Sequence, residues 1–270
     1  MTGIMAIEES AILLLEKIEN IKRLSALSRI RVSGSRNIAR IFKTQERILM
    51  WKLSFHTASF REATPPVPPG FEESWDAAAL GTETTFIAAI ERLVKLAMVG
   101  GMKTAKQLTL PGISPISFSL ENPRAVQYLR QYGANRVTQI NEVTRRIIRN
   151  IMAEGIARGD SYQKIARAIR AQFQDFSYQR SKLIAITEAG NAYEEGNLIV
   201  ARDLQAKGSK MEKSWHTAND SKVEEQCWAN QEAGWIPLDD MFPGGVDRPL
   251  QHPRCRCAAL YRRVAIAKAA

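Results

Sequence analysis

Apolar residues recur at helical spacing through most of this 270-residue chain, and the recurrence stops near Gly208. Upstream, Val126, Leu129, Val137, Ile140, Val143, Ile147, Ile148 and Ile151 form one stripe. Ile165, Ile169 and Phe173 form a second, and Ile184, Ile186, Ala192, Leu198 and Leu204 a third. Each is expected to pack a helix face into a core. From Met211 onward the apolar runs are short and lie between Pro237, Pro243-Gly244-Gly245, Pro249 and Pro253. Small strands and loops fit there better than helices, with strands expected at Glu212–His216 and Ala258–Val264. The expected fold is mainly α with a small α+β C-terminal module.

Punctuation divides the helical part. Ile7, Ala11, Leu14, Ile18 and Ile21 line one face, but Ser25 and Ser28 interrupt the seam before it reaches coiled-coil length. Val32-Ser33-Gly34-Ser35 reads as a bend, after which Ile38, Ile41, Phe42, Ile48, Leu49 and Leu53 resume the pattern to about Phe60. Pro65-Pro66-Val67-Pro68-Pro69 cannot be helical and reads as a semi-rigid spacer. A helix is expected from Trp75 to Val99, stopped at Gly100-Gly101, with a loop-like stretch over 103–122. Asn122-Pro123 opens the next helix, Gly155 and Gly159 close it, and Asp160-Ser161 caps its successor. The expected domains are a basic helical arm at 1–61, a Pro-rich linker and helix at 62–122, a compact region at 123–264, and a tail at 265–270.

Charge sharpens the division. The net +10 is uneven: residues 1–61 carry 11 basic and 5 acidic side chains, residues 123–190 carry 12 and 5, and residues 191–270 carry 11 of each. A polyanion or an acidic protein surface suits the basic helices, as does an ordinary solvated face. No run of about 18 uncharged apolar residues exists to span a membrane, and Glu8 and Glu9 give the N-terminus the wrong sign for an export signal. Three cysteines cannot build a disulfide framework, so free or metal-bound thiols in a reducing compartment are expected. Glycine pairs lack the lysine of a phosphate loop. No spacing marks a catalytic pair among Glu188, Asp220, Glu224, Glu225, Asp239 and Asp240, and no protease signature surrounds Cys227 with His216 or His252. Trp215, Trp228 and Trp235 are expected in the core of the small module.

Four motifs follow one another at fitting distances: Gly159-Asp160-Ser161 with Ile165, Ala166 and Ile169; Ala185-Ile186-Thr187-Glu188-Ala189 with Asn191, Ala192 and Gly196; Lys213-Ser214-Trp215 with Thr217 and Asp220; and Pro249 with His252-Pro253-Arg254-Cys255-Arg256-Cys257. Together they resemble the Mu F-like head morphogenesis family, the minor head proteins of tailed bacteriophages, over about residues 123–262. The resemblance implies a non-enzymatic protein of the virion, at the portal vertex or capsid interior, passing through the host cytoplasm during assembly. It implies the portal protein and a major capsid or scaffolding protein as partners, with non-specific contact to double-stranded DNA in some members. It also implies structural roles for Thr187, Glu188, Asn191, Trp215 and Asp220. Other classes to weigh are a metal-dependent hydrolase or transferase used in packaging or entry, and a DNA-binding accessory protein.

Two departures stand out. Ile186 replaces the family's usual arginine before Thr-Glu, and Cys227 stands where the family commonly has a histidine. The second exchange makes Cys227, His252, Cys255 and Cys257 a possible Cys₃His zinc set. A buried thiol cluster that pins the terminal strand, or a Cys227 disulfide formed in the mature particle, fits the same residues. No other cofactor is expected.

Overall fold

The structure, a computed structural model, describes residues 2–54, 70–105 and 121–264. Its elements are α1 (Thr2–Ser54), α2 (Phe71–Thr104), α3 (Pro123–Ala157), α4 (Tyr162–Asp175), a π-helical turn (Phe176–Arg180), α5 (Ser181–Ala206), β1 (Met211–His216), α6 (Glu225–Glu232), β2 (Trp235–Pro237) and β3 (Ala258–Arg263). The mainly α fold with a small α+β end is as the periodicity predicts. The proline spacer, residues 106–120 of the loop-like stretch expected over 103–122, the stretch to Phe60 and the tail at 265–270 lie outside the described residues.

Two compact units do not follow chain order. One draws its described residues from Met1–Arg31, Val94–Gln127 and Ile186–Ala270; the other draws them from Val32–Leu93 and Tyr128–Ala185. The second unit therefore takes helices from both sides of the proline-rich segment.

The second unit shows why α1 does not bend at Val32–Ser35. A Cβ on Gly34 would stand 2.5 Å from Leu93 Cδ1, so this glycine admits a neighbouring helix and does not turn the chain. Beyond it the amphipathic residues are core: Ile38, Phe42, Leu49 and Leu53 are fully buried, so this half of the basic segment is not a free arm. Phe42 meets Phe86 edge-on at 5.8 Å and Phe176 at 5.6 Å, and Phe176 meets Phe173 at 5.4 Å. Such ring pairs add to the burial of the rings themselves. The π turn carries Phe176 into this cluster and joins α4 to α5 without a loop, because its flanking residues keep right-handed helical dihedrals. Within the same core Gln45 Nε2 donates to Thr82 Oγ1 and to Asn141 Oδ1, each at 3.0 Å, which satisfies both amide hydrogens.

The helix stops are partly as expected. α3 ends at Ala157 and Gly159 takes φ +71°, the left-handed conformation glycine adopts without cost. Ser161 caps α4 by accepting from Lys164 N. Gly100 and Gly101, by contrast, do not stop α2, which continues to Thr104. In the first unit they lie against Tyr193 of α5, while Gly196 of α5 lies against the backbone of Met98 and Met102. A Cβ on Gly101 would stand 1.9 Å from Tyr193 O, and one on Gly196 would stand 2.2 Å from Met98 O. The glycines let two backbones touch.

Beyond Gly208 the three strands form an antiparallel sheet in the order β2-β1-β3. Glu212 pairs with Arg262 across β1 and β3, and the Arg262 guanidinium also lies 4.2 Å from the Trp235 ring centroid. Met211, Lys213 and Trp215 share the buried face, as alternation requires. Two elements were not expected: the short helix α6 and the three-residue strand β2. Among the described residues no helix is long and apolar enough to cross a membrane.

Candidate metal centre

Three elements build the site in the first unit. Helix α6 starts after Glu224 and sets Cys227 in its first turn, where Cys227 N donates to Glu224 O at 2.9 Å. The chain then crosses β2 and returns through residues 238–257 to β3. On that return, His252-Pro253-Arg254-Cys255 closes a turn in which Cys255 N donates to His252 O at 3.1 Å. Proline at the second position and φ +68° at Arg254 fit a type II turn, which wants a left-handed third residue. The turn brings His252 and Cys255 to one side, facing Cys227.

Cys227 Sγ lies 3.5 Å from His252 Nε2 and 3.9 Å from Cys255 Sγ, and the ligand atoms of all three residues lie within 4.8 Å of one another. Cys257 stands outside that triangle, although its thiol interacts with those of Cys227 and Cys255. All three cysteines are free thiols, buried with Trp215 and Phe242 in one apolar cluster against Val223, Ile236, Val246 and Leu250. The Trp215 and Phe242 rings meet edge-on at 5.2 Å. Of the three tryptophans only Trp215 is core; Trp228 and Trp235 are half-buried, because α6 and β2 lie at the edge of the module.

The thiols are unequal. The Cys257 thiol donates toward Cys255, and backbone hydrogen bonds at Cys257 and Gln251 act in the same direction, so the Cys255 thiol is held well below its ordinary range. Burial and the charge of Cys255 push Cys227 up, and the bond to Cys255 and burial push Cys257 up. Cys227 is buried despite its contact with His252, whereas nucleophilic thiol chemistry needs an accessible thiolate. Side chains of the triangle can hold a soft or borderline metal ion, or pack as hydrogen-bonded thiols.

A polar frame holds the return segment to α5, within the same unit. Asn191 Oδ1 accepts from Leu250 N at 3.4 Å, Glu195 binds Arg248 at 2.7 Å, Glu194 Oε2 accepts from Ala259 N at 3.1 Å, and Arg202 binds Asp247 at 3.0 Å. Gly190 lies under Leu250, where a Cβ would stand 2.8 Å from its Cδ1. Asn230 receives Gly244 N at 2.7 Å and reaches Gln251, which donates back to Gly244 O at 3.1 Å. Lys213 is fully buried; its Nζ donates to Asp247 O at 2.9 Å and sits over the Phe242 ring. Burial pushes the Lys213 ammonium down.

Asn191 thus anchors the loop that carries His252. Thr187 and Glu188 lie on the same helix, Glu188 buried and Thr187 with a buried hydroxyl oxygen that finds no hydrogen-bond partner among the described residues. Asp220 takes both guanidinium nitrogens of Arg256 at 2.6 Å, which with the Lys222 amide pulls its carboxyl down to about 2. Arg256 lies between the last two cysteines, so this ion pair ties the Asp220 loop to the Cys-Arg-Cys segment. Sequence reasoning missed Glu194, Glu195, Arg248, Asn230 and Gln251. Among the described residues the Cys227, His252 and Cys255 group is the cluster with metal-binding geometry, and the acidic residues weighed for catalysis do not converge on one.

Residues 146–260 match the family model described as Phage Mu protein F like protein, somewhat less than half of the chain, and cover α5, the polar frame and the thiol cluster. Across these residues the chain resembles Mu F-like proteins. No curated protein and no solved structure matches it.

Proposed function

From the Mu F-like region at residues 146–260, we propose that this chain is a structural minor head protein of a tailed phage, associated with the portal vertex and acting in head morphogenesis. The family match carries the reading. What supports an architectural over a catalytic role is that Asn191, Glu194, Glu195 and Asp220 make bonds inside the module. Acid–base chemistry would need such groups to face a substrate.

The portal protein, with a major capsid or scaffolding protein, is the partner this role implies, and packaged DNA is a further contact. Charge supports the last point. Residues 128–185 of the second unit hold 11 basic and 4 acidic side chains, while residues 32–93 hold 7 of each. Arg146, Arg167 and Arg170 of that unit are exposed. A polyanion would meet the helical unit, whereas residues 186–270 hold 11 basic and 12 acidic side chains.

The test is affinity purification of the tagged full-length chain from infected cells. Recovery of portal protein is expected, and recovery of neither portal nor any capsid protein refutes the reading.

A further inference from the structure

A tetrahedral zinc ion has Zn–S bonds of about 2.3 Å and Zn–N bonds of about 2.0–2.1 Å, which puts two of its sulfur ligands about 3.8 Å apart and a sulfur and a nitrogen about 3.5 Å apart. The two edges measured from Cys227 Sγ are 3.9 Å to Cys255 Sγ and 3.5 Å to His252 Nε2. Both match edges of a zinc tetrahedron, and the remaining pair, His252 and Cys255, lies within 4.8 Å.

The histidine is also prepared on its far side. His252 Nδ1 lies 2.9 Å from Pro253 O and 3.2 Å from Glu224 Oε1, and both of these are acceptors. Two acceptors at Nδ1 favour a proton there, the tautomer that leaves the Nε2 lone pair facing Cys227. A carbonyl or carboxylate behind the ring is the usual outer-shell support of a metal-ligating histidine. Glu224 serves twice, because it also precedes the helix that carries Cys227. His252 keeps 22% of its side chain exposed, which leaves an entry path, while the sulfurs lie in the apolar cluster that shields a bound ion from water.

We propose that Cys227, His252 and Cys255 bind one Zn(II) ion, with Cys257 moving in as the fourth ligand, so that the ion staples helix α6 to the turn leading into strand β3. Cys257 is buried and its thiol already interacts with those of Cys227 and Cys255. Four protein ligands close the site, which makes it structural and leaves no position for an activated water. Binding releases thiol protons to solvent as the sulfurs become thiolates. The inference rests on side-chain geometry and stands apart from the role proposed in the phage head.

The experiment is metal analysis of the full chain purified without added zinc, followed by competition with a chelator of known affinity. About one equivalent of zinc is expected, and less than a tenth overturns the site. Replacement by Co(II) is expected to give the strong visible bands of a tetrahedral thiolate site; weak bands of a six-coordinate ion overturn it. Glu224→Gln changes an exposed side chain that makes no cap hydrogen bond to its helix, and should weaken zinc about 10-fold, the lower end for loss of an outer-shell partner. Cys257→Ser should weaken it further while the tryptophan fluorescence of the folded chain is retained. Unchanged affinity in Glu224→Gln removes the positioning role of that carboxylate, and unchanged affinity in Cys257→Ser removes the fourth ligand.

Discussion

Gly101→Ala isolates the contact between α2 and α5 in the first unit. The new methyl carbon would lie 1.9 Å from Tyr193 O, 2.9 Å from Tyr193 C and 3.2 Å from Asn197 N. These are backbone atoms of a buried helix, so no side chain can swing aside, and the two helices must part by about 1 Å. Overpacking a core by one methyl costs about 1–3 kcal/mol, and a backbone obstacle places this case near the top of that range. Alanine returns about 1 kcal/mol of helix propensity, leaving a net loss of about 2 kcal/mol. The shift also disturbs the 2.7 Å hydrogen bond between Thr104 Oγ1 and Tyr193 Oη. Urea unfolding followed by circular dichroism and by tryptophan fluorescence reads the loss, and the melting temperature should fall by about 4–8 °C. Gly81→Ala is the control: its Cβ would meet only the tip of Ile48 at 3.1 Å, and propensity should leave that variant at least as stable as the parent. A Gly101→Ala protein as stable as the parent would refute the close approach of the two helices.

Two further outcomes follow from electrostatics. The Asp220 carboxyl, held at about 2, adds stability above its ordinary value of about 3.9 and loses it as pH falls toward 2. Arg256→Gln should therefore lower urea midpoints above about pH 4 and match the parent near pH 2; a constant difference across that window contradicts the pairing. Charge reversal at Arg146, Arg167 and Arg170 together should reduce the salt dependence of DNA binding, measured by fluorescence anisotropy, by about 0.9 in slope for each phosphate no longer neutralised. No binding by the parent at low salt removes DNA as a contact.

What the sequence disclosed depended on how local the cause was. Helices α3, α4 and α5 were legible because their stripes repeat at helical spacing, and Ser161 and Gly159 act within one turn. Gly34, Gly100 and Gly101 misled, because glycine serves chain reversal and close packing alike, and only the partner residues Leu93 and Tyr193 decide between them. Helix α6 was hidden because Glu225–Glu232 buries only Cys227 and Asn230 and so shows no apolar stripe. The candidate ligands were legible from residue type, since all three cysteines lie in the last 44 residues. The triangle among Cys227, His252 and Cys255 was not, because the turn at Arg254 and the anchor from Asn191 to Leu250 join residues far apart in the chain. The basic N-terminal segment looked like an arm until the burial of Phe42 and Leu49 placed its second half in a core.

The central claim, a minor head protein, is tested most directly by quantitative mass spectrometry of phage heads purified away from tails and lysate. The account predicts this chain in the heads alongside the portal protein, at a copy number far below that of the major capsid protein. Its absence from both procapsids and mature heads would contradict the account.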